Sequence, residues 1–141
     1  MILPDANLLL YSVNSNAPQH RRAKEWLQQI FSGSETIGLS WMSLLAFLRV
    51  STNPVFPQPL PVERAFDQIE HWLGQPAAAI VEPGPRHARI LRELLAPLGT
   101  AGNLTSDAHL AALAIEHGAQ LCSADSDFAR FPGLKWTNPL A

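Results

Sequence analysis

The sequence predicts an α/β fold in which helices cover both faces of a central parallel sheet of four to five strands, giving three layers. Two observations lead to this prediction. Short apolar runs alternate with longer amphipathic segments along the whole chain, a pattern typical of β-α-β units. Twelve prolines fall mainly between these segments, where they mark the ends of the elements.

In the first half of the chain, apolar runs predict strands at residues 1–4 and 36–40. Apolar residues at helical spacing predict helices at residues 18–31, 41–51 and 62–73. The segment between the last two helices, residues 53–61, contains four prolines and is expected to be a loop.

In the second half, strands are predicted at residues 77–81 and 119–123, with an edge strand at residues 135–137. Helices are predicted at residues 84–98 and 104–117. The second of these helices has the clearest ends in the chain. Asn103 or Thr105 is expected to cap its start and Gly118 to end it.

The composition predicts one folded domain over residues 1–141. Hydrophobic residues make up 47% of the chain and charged residues 16%, which excludes a disordered protein. No apolar run reaches the ~18–20 residues of a membrane span, and no basic lead suggests a signal peptide. The single cysteine, Cys122, excludes an intramolecular disulfide and a four-cysteine zinc site. We therefore expect no membrane association and a cytoplasmic protein.

The charge balance limits the ways in which the chain can bind nucleic acid. The formal net charge is −2, and the arginines are scattered rather than clustered in a long basic tract. Tight non-specific binding to phosphate, which draws on a basic surface, is disfavoured. A nuclease that relies on a metal ion is not excluded.

Four aspartates are expected to converge at one edge of the sheet. In open parallel sheets the working crevice lies outside the carboxyl ends of the strands. Asp5 follows the first strand, and Asp125 and Asp127 follow the strand at residues 119–123. Asp107 lies in the first turn of a helix that should open on the same crevice.

Carboxylates that share a crevice repel one another, and a divalent cation removes that repulsion. Mg²⁺ prefers carboxylate oxygens and keeps several waters. A cation held in this way can activate water and stabilise charge on a phosphoryl oxygen. The pattern therefore favours hydrolysis of a phosphodiester.

Each aspartate also has a structural interpretation. Asp107 in a first helical turn stabilises the helix dipole by about 0.3–1 kcal/mol. Asp125 or Asp127 is suited to cap the turn around Phe128. Asp5, directly after an N-terminal core strand, has little structural motive. The joint pattern is stronger evidence than any one member.

These motifs resemble those of PIN domains. Residues 2–11 (ILPDANLLLY) are similar to the opening strand motif of the family, residues 102–114 (GNLTSDAHLAALA) to its third acidic motif, and residues 121–134 (LCSADSDFARFPGL) to its fourth. Residues 47–54 (FLRVSTNP) resemble a stretch found in one branch of VapC toxins. The resemblance covers almost the whole chain in the right order.

The resemblance implies a PIN-like α/β/α fold and endonucleolytic cleavage of RNA by the toxin of a toxin–antitoxin pair. It also implies a Mg²⁺ or Mn²⁺ site, for which Asp5, Asp107, Asp125 and Asp127 are the ligand candidates, with the first three as catalytic residues. The partners implied are an RNA substrate, a VapB-type antitoxin and a second copy of the chain in a homodimer.

One position departs from the family pattern. Where the family commonly has a Glu on the helix after the second strand, this chain has Ala46. One interpretation is that a single cation, held by Asp5, Asp107 and Asp125, suffices for activity. The other is a weakened or inactive PIN-like module that binds RNA or a protein. We favour retained activity because the other acids are intact.

Three further residues are candidates for supporting roles. Asn7 is suited to orient Asp5 or a metal-bound water, with a loop hydrogen bond as the alternative. Arg49 shares a helical face with Ala46 and is suited to bind phosphate, with a surface salt bridge as the alternative. Ser106 is suited to bind a metal-bound water, with helix capping as the alternative.

Other residue types point away from competing functions. A phosphatase of the common type needs a second Asp two residues after Asp5, where this chain has Asn7. The five histidines show no close ligand spacing and are expected to be structural or exposed. Cys122 is expected to be a buried small side chain, and the four tryptophans to be core or interface anchors.

Overall fold

Five short parallel strands form the centre of the computed structural model, which describes residues 1–141. The strands are β1 (Ile2–Pro4), β2 (Ile37–Leu39), β3 (Ala78–Ile80), β4 (Gln120–Cys122) and β5 (Trp136–Thr137). Their order across the sheet is β3-β2-β1-β4-β5, and every neighbouring pair is parallel. The predicted parallel sheet is therefore confirmed, with five strands.

Six α-helices flank the sheet: α1 (Ala6–Val13), α2 (His20–Phe31), α3 (Trp41–Ser51), α4 (Val62–Leu73), α5 (His87–Leu95) and α6 (Thr105–His117). Short 3₁₀ helices lie at Ala96–Leu98, Gly102–Leu104 and Ser126–Arg130. None of these helices has the combination of length and apolar composition that crossing a membrane requires.

Alternating strand residues build two main cores on opposite faces of the sheet. On one face, Leu3 and Leu121 belong to a cluster with Leu113 of α6 and Phe128. On the other, Ile37 and Leu39 belong to a cluster with α1 to α4. In this cluster Phe47 and Trp72 meet edge to face, with ring centroids 4.8 Å apart. Burial on both faces produces the three-layer α/β/α arrangement.

The pairing of β1 with β4 fixes the edge at which the candidate site lies. Leu3 pairs with Leu121 and Pro4 with Cys122. The ladder continues one residue further, since the Asp5 backbone N–H donates to the Cys122 carbonyl oxygen at 2.9 Å. Asp5 and Ser123, the next residues along the two strands, therefore leave the sheet side by side.

Helix α1 was not predicted from the sequence. It follows β1 without a loop, because Asp5 acts as its N-cap and accepts a hydrogen bond from the Ala6 backbone N–H. Its residues are mostly apolar, so they lack the polar face that makes an amphipathic helix recognisable. The expectation that Asp5 has little structural role was wrong, because Asp5 caps α1.

The predicted starts of helices α2 and α5 were also wrong. Helix α2 begins at His20 rather than Pro18. Helix α5 is shorter than predicted, because the Glu116 carboxylate accepts hydrogen bonds from the backbone N–H groups of Gly84 and Arg86. Those two residues are held outside the helix.

Helix α6 begins differently from the prediction. Neither Asn103 nor Thr105 caps it, since Leu104 occupies the N-cap position and the Thr105 hydroxyl donates back to the Gly102 carbonyl oxygen. The predicted stop is confirmed. Gly118 ends the helix with a φ of 64°, in the left-handed region that glycine adopts readily.

Candidate metal centre

A cavity of about 770 Å³ opens at the carboxyl end of the sheet. Its lining combines the carboxylates of Asp5 and Asp107 with apolar side chains, most of them from α3. Ligand sites typically have this size and character, with an apolar lining and a few polar groups. The lining includes Asp5, Leu45, Ala46, Arg49, Val62, Ser106 and Asp107.

Three of the four predicted aspartates come together. One carboxylate oxygen from each of Asp107, Asp125 and Asp127 lies within 4.8 Å of the other two. We call these three residues the acidic cluster. Asp107 reaches it from the first turn of α6, and the other two from the turn that follows β4. The helix start and the strand end thus share one crevice.

Asp5 lies beside the acidic cluster, in the lining of the same cavity as Asp107, but does not belong to the three-oxygen group. Its Oδ1 accepts the 2.7 Å hydrogen bond from the Ala6 N–H. Its Oδ2 accepts a 2.7 Å hydrogen bond from the Ser123 hydroxyl. Each oxygen keeps a second lone pair, so the carboxylate can still bind another group.

Ser123 was missed by the sequence analysis. It is fully buried, and its hydroxyl donates to Asp5 while it accepts from the Asn7 Nδ2 and the Asp125 backbone N–H, both at 3.0 Å. Asn7 therefore touches Asp5 only through Ser123, and its own Oδ1 accepts from the Ala124 N–H at 3.4 Å. The signal available in the sequence was the position of Ser123, directly after a strand and level with Asp5.

The turn after β4 holds its two aspartates by local hydrogen bonds. Asp125 Oδ1 accepts from the Asp127 backbone N–H at 2.9 Å and caps the 3₁₀ helix that contains Phe128. Asp127 Oδ1 accepts from the Arg130 guanidinium at 3.1 Å. The structural interpretation of Asp125 is therefore correct, and the capping geometry is also what aims both carboxylates at Asp107.

The acidic residues shift each other's protonation. Partial burial, followed by the charges of Asp125, Asp5 and Asp127, raises the pKa of Asp107 to about 6, and the Arg130 guanidinium opposes this. Burial raises the pKa of Asp5, and its hydrogen bonds from Ser123 and Ala6 oppose that rise. Negative charge is therefore in excess here, and a hard cation with oxygen ligands would relieve it.

Ala46, Arg49 and Ser106 all lie in the lining of the cavity. Arg49 is exposed and takes part in none of the three ion pairs of the protein, so a surface salt bridge does not account for it. Ala46 adds neither charge nor bulk at its position. The apolar side of the cavity is open to solvent, with Leu45 55% and Val62 54% exposed.

The histidines make contacts within the fold, away from the acidic cluster. His87 Nε2 and His109 Nδ1 lie 2.9 Å apart between α5 and α6, and His117 Nε2 lies 2.8 Å from the Glu82 carbonyl oxygen. Cys122 is buried, as predicted, and burial followed by the charge of Glu35 raises the pKa of its thiol to about 11. It is therefore not a reactive thiolate at neutral pH.

Comparison with known proteins identifies the family. Residues 2–134 match the model of the PIN domain. The chain belongs to the PIN-domain family. Ribonuclease VapC37 of Mycobacterium tuberculosis is 48% identical over 142 residues, covering 100% of this chain and 99% of the relative. Ribonuclease VapC33 of the same organism is 49% identical over 141 residues, covering 99% of each. The VapC-type resemblance seen in the sequence is confirmed.

Solved structures show the same PIN-domain fold at lower identity. VapBC-1 from nontypeable Haemophilus influenzae has a TM-score of 0.71 at 15% identity, covering 100% of both chains. VapBC2 from Rickettsia felis, bound to a DNA fragment from its promoter, has a TM-score of 0.68 at 23% identity, covering 98% of both chains. These likenesses confirm the PIN-like α/β/α fold.

The excess negative charge in this PIN domain predicts a pH-dependent stability. The pKa of Asp107 is about 6 in the folded protein against 3.8 for an unperturbed Asp, so its contribution to stability is fully present below about pH 4 and is lost as pH rises through 6. Asp107→Asn removes this loss. We expect it to raise the free energy of unfolding at pH 7 by on the order of 1 kcal/mol, since solvent screening reduces the effect for a half-exposed group.

Urea unfolding of the metal-free protein between pH 4 and 8 measures this effect. The gain should grow between pH 4 and 6 and then level off. Asp67→Asn, at an exposed aspartate of α4, is the matched control. Parallel stability curves for Asp107→Asn and wild type would show that folding does not raise the pKa of the Asp107 carboxyl group.

Proposed function

We propose that this PIN domain is a metal-dependent endoribonuclease that acts as the toxin of a toxin–antitoxin pair. The observation that carries the proposal is the acidic cluster, three aspartate oxygens within 4.8 Å of one another beside Asp5. Full-length identity of 48–49% to proteins named Ribonuclease VapC supports RNA as the substrate. The reaction is hydrolysis of a phosphodiester bond within the RNA chain.

The donor set suits Mg²⁺, or Mn²⁺ in its place. Asp107, Asp125 and Asp127 supply hard carboxylate oxygens at close range, and burial followed by the charges of its acidic neighbours raises the pKa of Asp107. Asp5 completes the set with its free lone pairs. When bound, the ion supplies Lewis acidity toward a phosphoryl oxygen and lowers the pKa of a coordinated water.

The remaining residues of the site bind and orient. Ser123 and Asn7 hold the Asp5 carboxylate in one orientation through the hydrogen bonds described above. Such supporting contacts commonly contribute 10–100-fold to metal affinity or activity. Arg49, exposed in the cavity lining, is placed to donate paired hydrogen bonds to a phosphate of the substrate. The Ser106 hydroxyl is available to a water or a substrate oxygen in the same cavity.

Ala46 supports a second candidate function. Its place in the cavity lining, where the family commonly has a Glu, leaves the site one carboxylate short. With fewer negative ligands, metal affinity falls and a second ion is held less readily. A catalytically weakened or inactive module that binds RNA or a protein is the alternative that this position favours.

We also propose a VapB-type antitoxin as the partner, and a homodimer as the assembly. Support for the antitoxin comes from the solved structures of similar fold, which include VapBC assemblies and a toxin–antitoxin complex from Klebsiella pneumoniae. Exposed apolar side chains of α3 and α4, including Leu45, Val62 and Phe66, provide a surface that a protein partner would cover.

The proposed activity predicts loss of RNA cleavage when the aspartates are neutralised. Asp5→Asn and Asp107→Asn remove the charge that holds the cation, so each should lower the rate of cleavage by at least about 100-fold. Purified protein is incubated with total RNA in Mg²⁺, in Mn²⁺ and in chelator, and RNA length is read on a gel. Asp67→Asn on α4 is the control and should cleave like wild type. Equal cleavage by Asp107→Asn and wild type refutes the assignment.

Restoring the missing carboxylate should strengthen metal binding. We expect Ala46→Glu to tighten Mn²⁺ binding on the order of tenfold, because it adds a carboxylate to the cavity that Asp5 and Asp107 line. Calorimetry on the RNA-free protein measures the affinity. Ala88→Glu, which adds the same charge at an exposed position of α5, is the control and should change it little. No change in Ala46→Glu would mean that residue 46 does not face the cation.

The toxin assignment predicts a phenotype in cells. Expression of this chain alone should arrest bacterial growth, and Asp107→Asn should relieve the arrest because the RNA is no longer cut. Co-expression of an antitoxin encoded by a small neighbouring reading frame should also restore growth, and the two proteins should copurify. Normal growth at high levels of folded wild-type protein counts against the toxin role.

A further inference from the structure

We propose that Arg130 is a second phosphate-binding residue, so that Arg49 and Arg130 hold the RNA backbone on either side of the acidic cluster. The inference rests on the proposed function, which makes RNA the ligand, and deepens it by assigning the path of the strand.

The distribution of positive charge singles out these two residues. The chain has ten Lys and Arg side chains. Arg49 is the only one of them in the lining of the cavity, and Arg130 is the only one that forms an ion pair with a member of the acidic cluster. An RNA strand brought to four carboxylates meets strong repulsion. The positively charged side chains beside those carboxylates are therefore expected to hold its phosphates.

The strand order places the two elements that carry these arginines on opposite sides of β1. Arg49 belongs to α3, which follows β2, and Arg130 belongs to the turn that follows β4. In the sheet, β1 lies between β2 and β4, and Asp5 follows β1 directly. A strand of RNA that crosses the carboxyl ends of these three strands passes one arginine before the acidic residues and the other after them.

The contacts of Arg130 suit a residue that serves in two states. Its Nη2 donates to Asp127 Oδ1 at 3.1 Å, and its Nε donates to the Asp127 backbone carbonyl oxygen at 3.2 Å. A divalent cation competes with the guanidinium for the Asp127 carboxylate but not for the backbone oxygen. The Nε contact keeps the side chain at the rim of the site, and the freed Nη groups, on a side chain that is 42% exposed, bind phosphate.

The competing explanation is an ordinary surface ion pair between residues three apart in a short helix. Such pairs contribute between 0 and about 1 kcal/mol to stability and have no effect on a ligand. It predicts that loss of the guanidinium leaves RNA binding unchanged. The phosphate contact predicts a change both in affinity and in its dependence on salt.

Anisotropy of a fluorescent single-stranded oligoribonucleotide, titrated with protein in Ca²⁺ over a series of KCl concentrations, separates the two. We expect Arg130→Gln to weaken binding about tenfold and to reduce the slope of log affinity against log salt concentration by about 0.7, the value for one phosphate contact in a single strand. Arg49→Gln should behave alike. Arg130→Lys should restore the slope but only part of the affinity. Arg89→Gln, at an exposed arginine of α5 outside any ion pair, is the control and should change neither.

Calorimetry with Mn²⁺ on the RNA-free variants tests whether Arg130 acts on the metal instead. The competition described above predicts that Arg130→Gln binds Mn²⁺ at least as tightly as wild type. Metal binding weakened 10–100-fold would mean that Arg130 only orients Asp127, and would overturn the inference. So would an unchanged salt slope. Should wild type cleave no RNA while Arg130→Gln still lowers affinity and slope, the phosphate contact stands and the proposed catalysis fails.

Discussion

Parallel pairing of β1 with β4 holds Asp5 next to Ser123, although 118 residues separate them in the chain. The other contacts of the site follow from this pairing. The Ser123 hydroxyl joins Asp5 to Asn7 and to the backbone of Asp125. A slip of the pairing by one residue would turn Ser123 to the other face of the sheet and disconnect the two strand ends.

The carboxylates that this arrangement brings together repel one another, and the protein offsets this repulsion only in part. Hydrogen bonds from Ser123 and Ala6 stabilise the charge of Asp5, and Arg130 stabilises that of Asp127. Asp107 accepts no hydrogen bond and forms no ion pair, and burial followed by the charges of its acidic neighbours raises its pKa to about 6. The carboxylates therefore still repel one another in the folded protein. Binding of a cation would remove this repulsion and so lower the free energy of the folded state.

The same sheet edge carries different chemistry in different members of a fold, so the fold alone does not assign a function. Structures at 15% and 23% identity share the architecture. In this chain the cavity is lined by Asp5 and Asp107 together with apolar side chains, among them Ala46, at the position where the family commonly has an acid. The aspartates and the full-length relatives at 48–49% identity are therefore what support RNA cleavage.

Much of the fold and of the candidate site could be predicted from the sequence, because both depend partly on local patterns. The alternation of apolar and amphipathic segments predicted the parallel sheet, and positions at strand ends and in a first helical turn predicted which aspartates share a crevice. Contacts between side chains could not be predicted from these local patterns. Three contacts depend on the directions of side chains. They are the hydrogen bond from the Ser123 hydroxyl to Asp5, the ion pair between Arg130 and Asp127, and the capping of the mostly apolar α1 by Asp5. Those directions are set by packing and strand register among residues far apart in the chain, which spacing along a single sequence does not record.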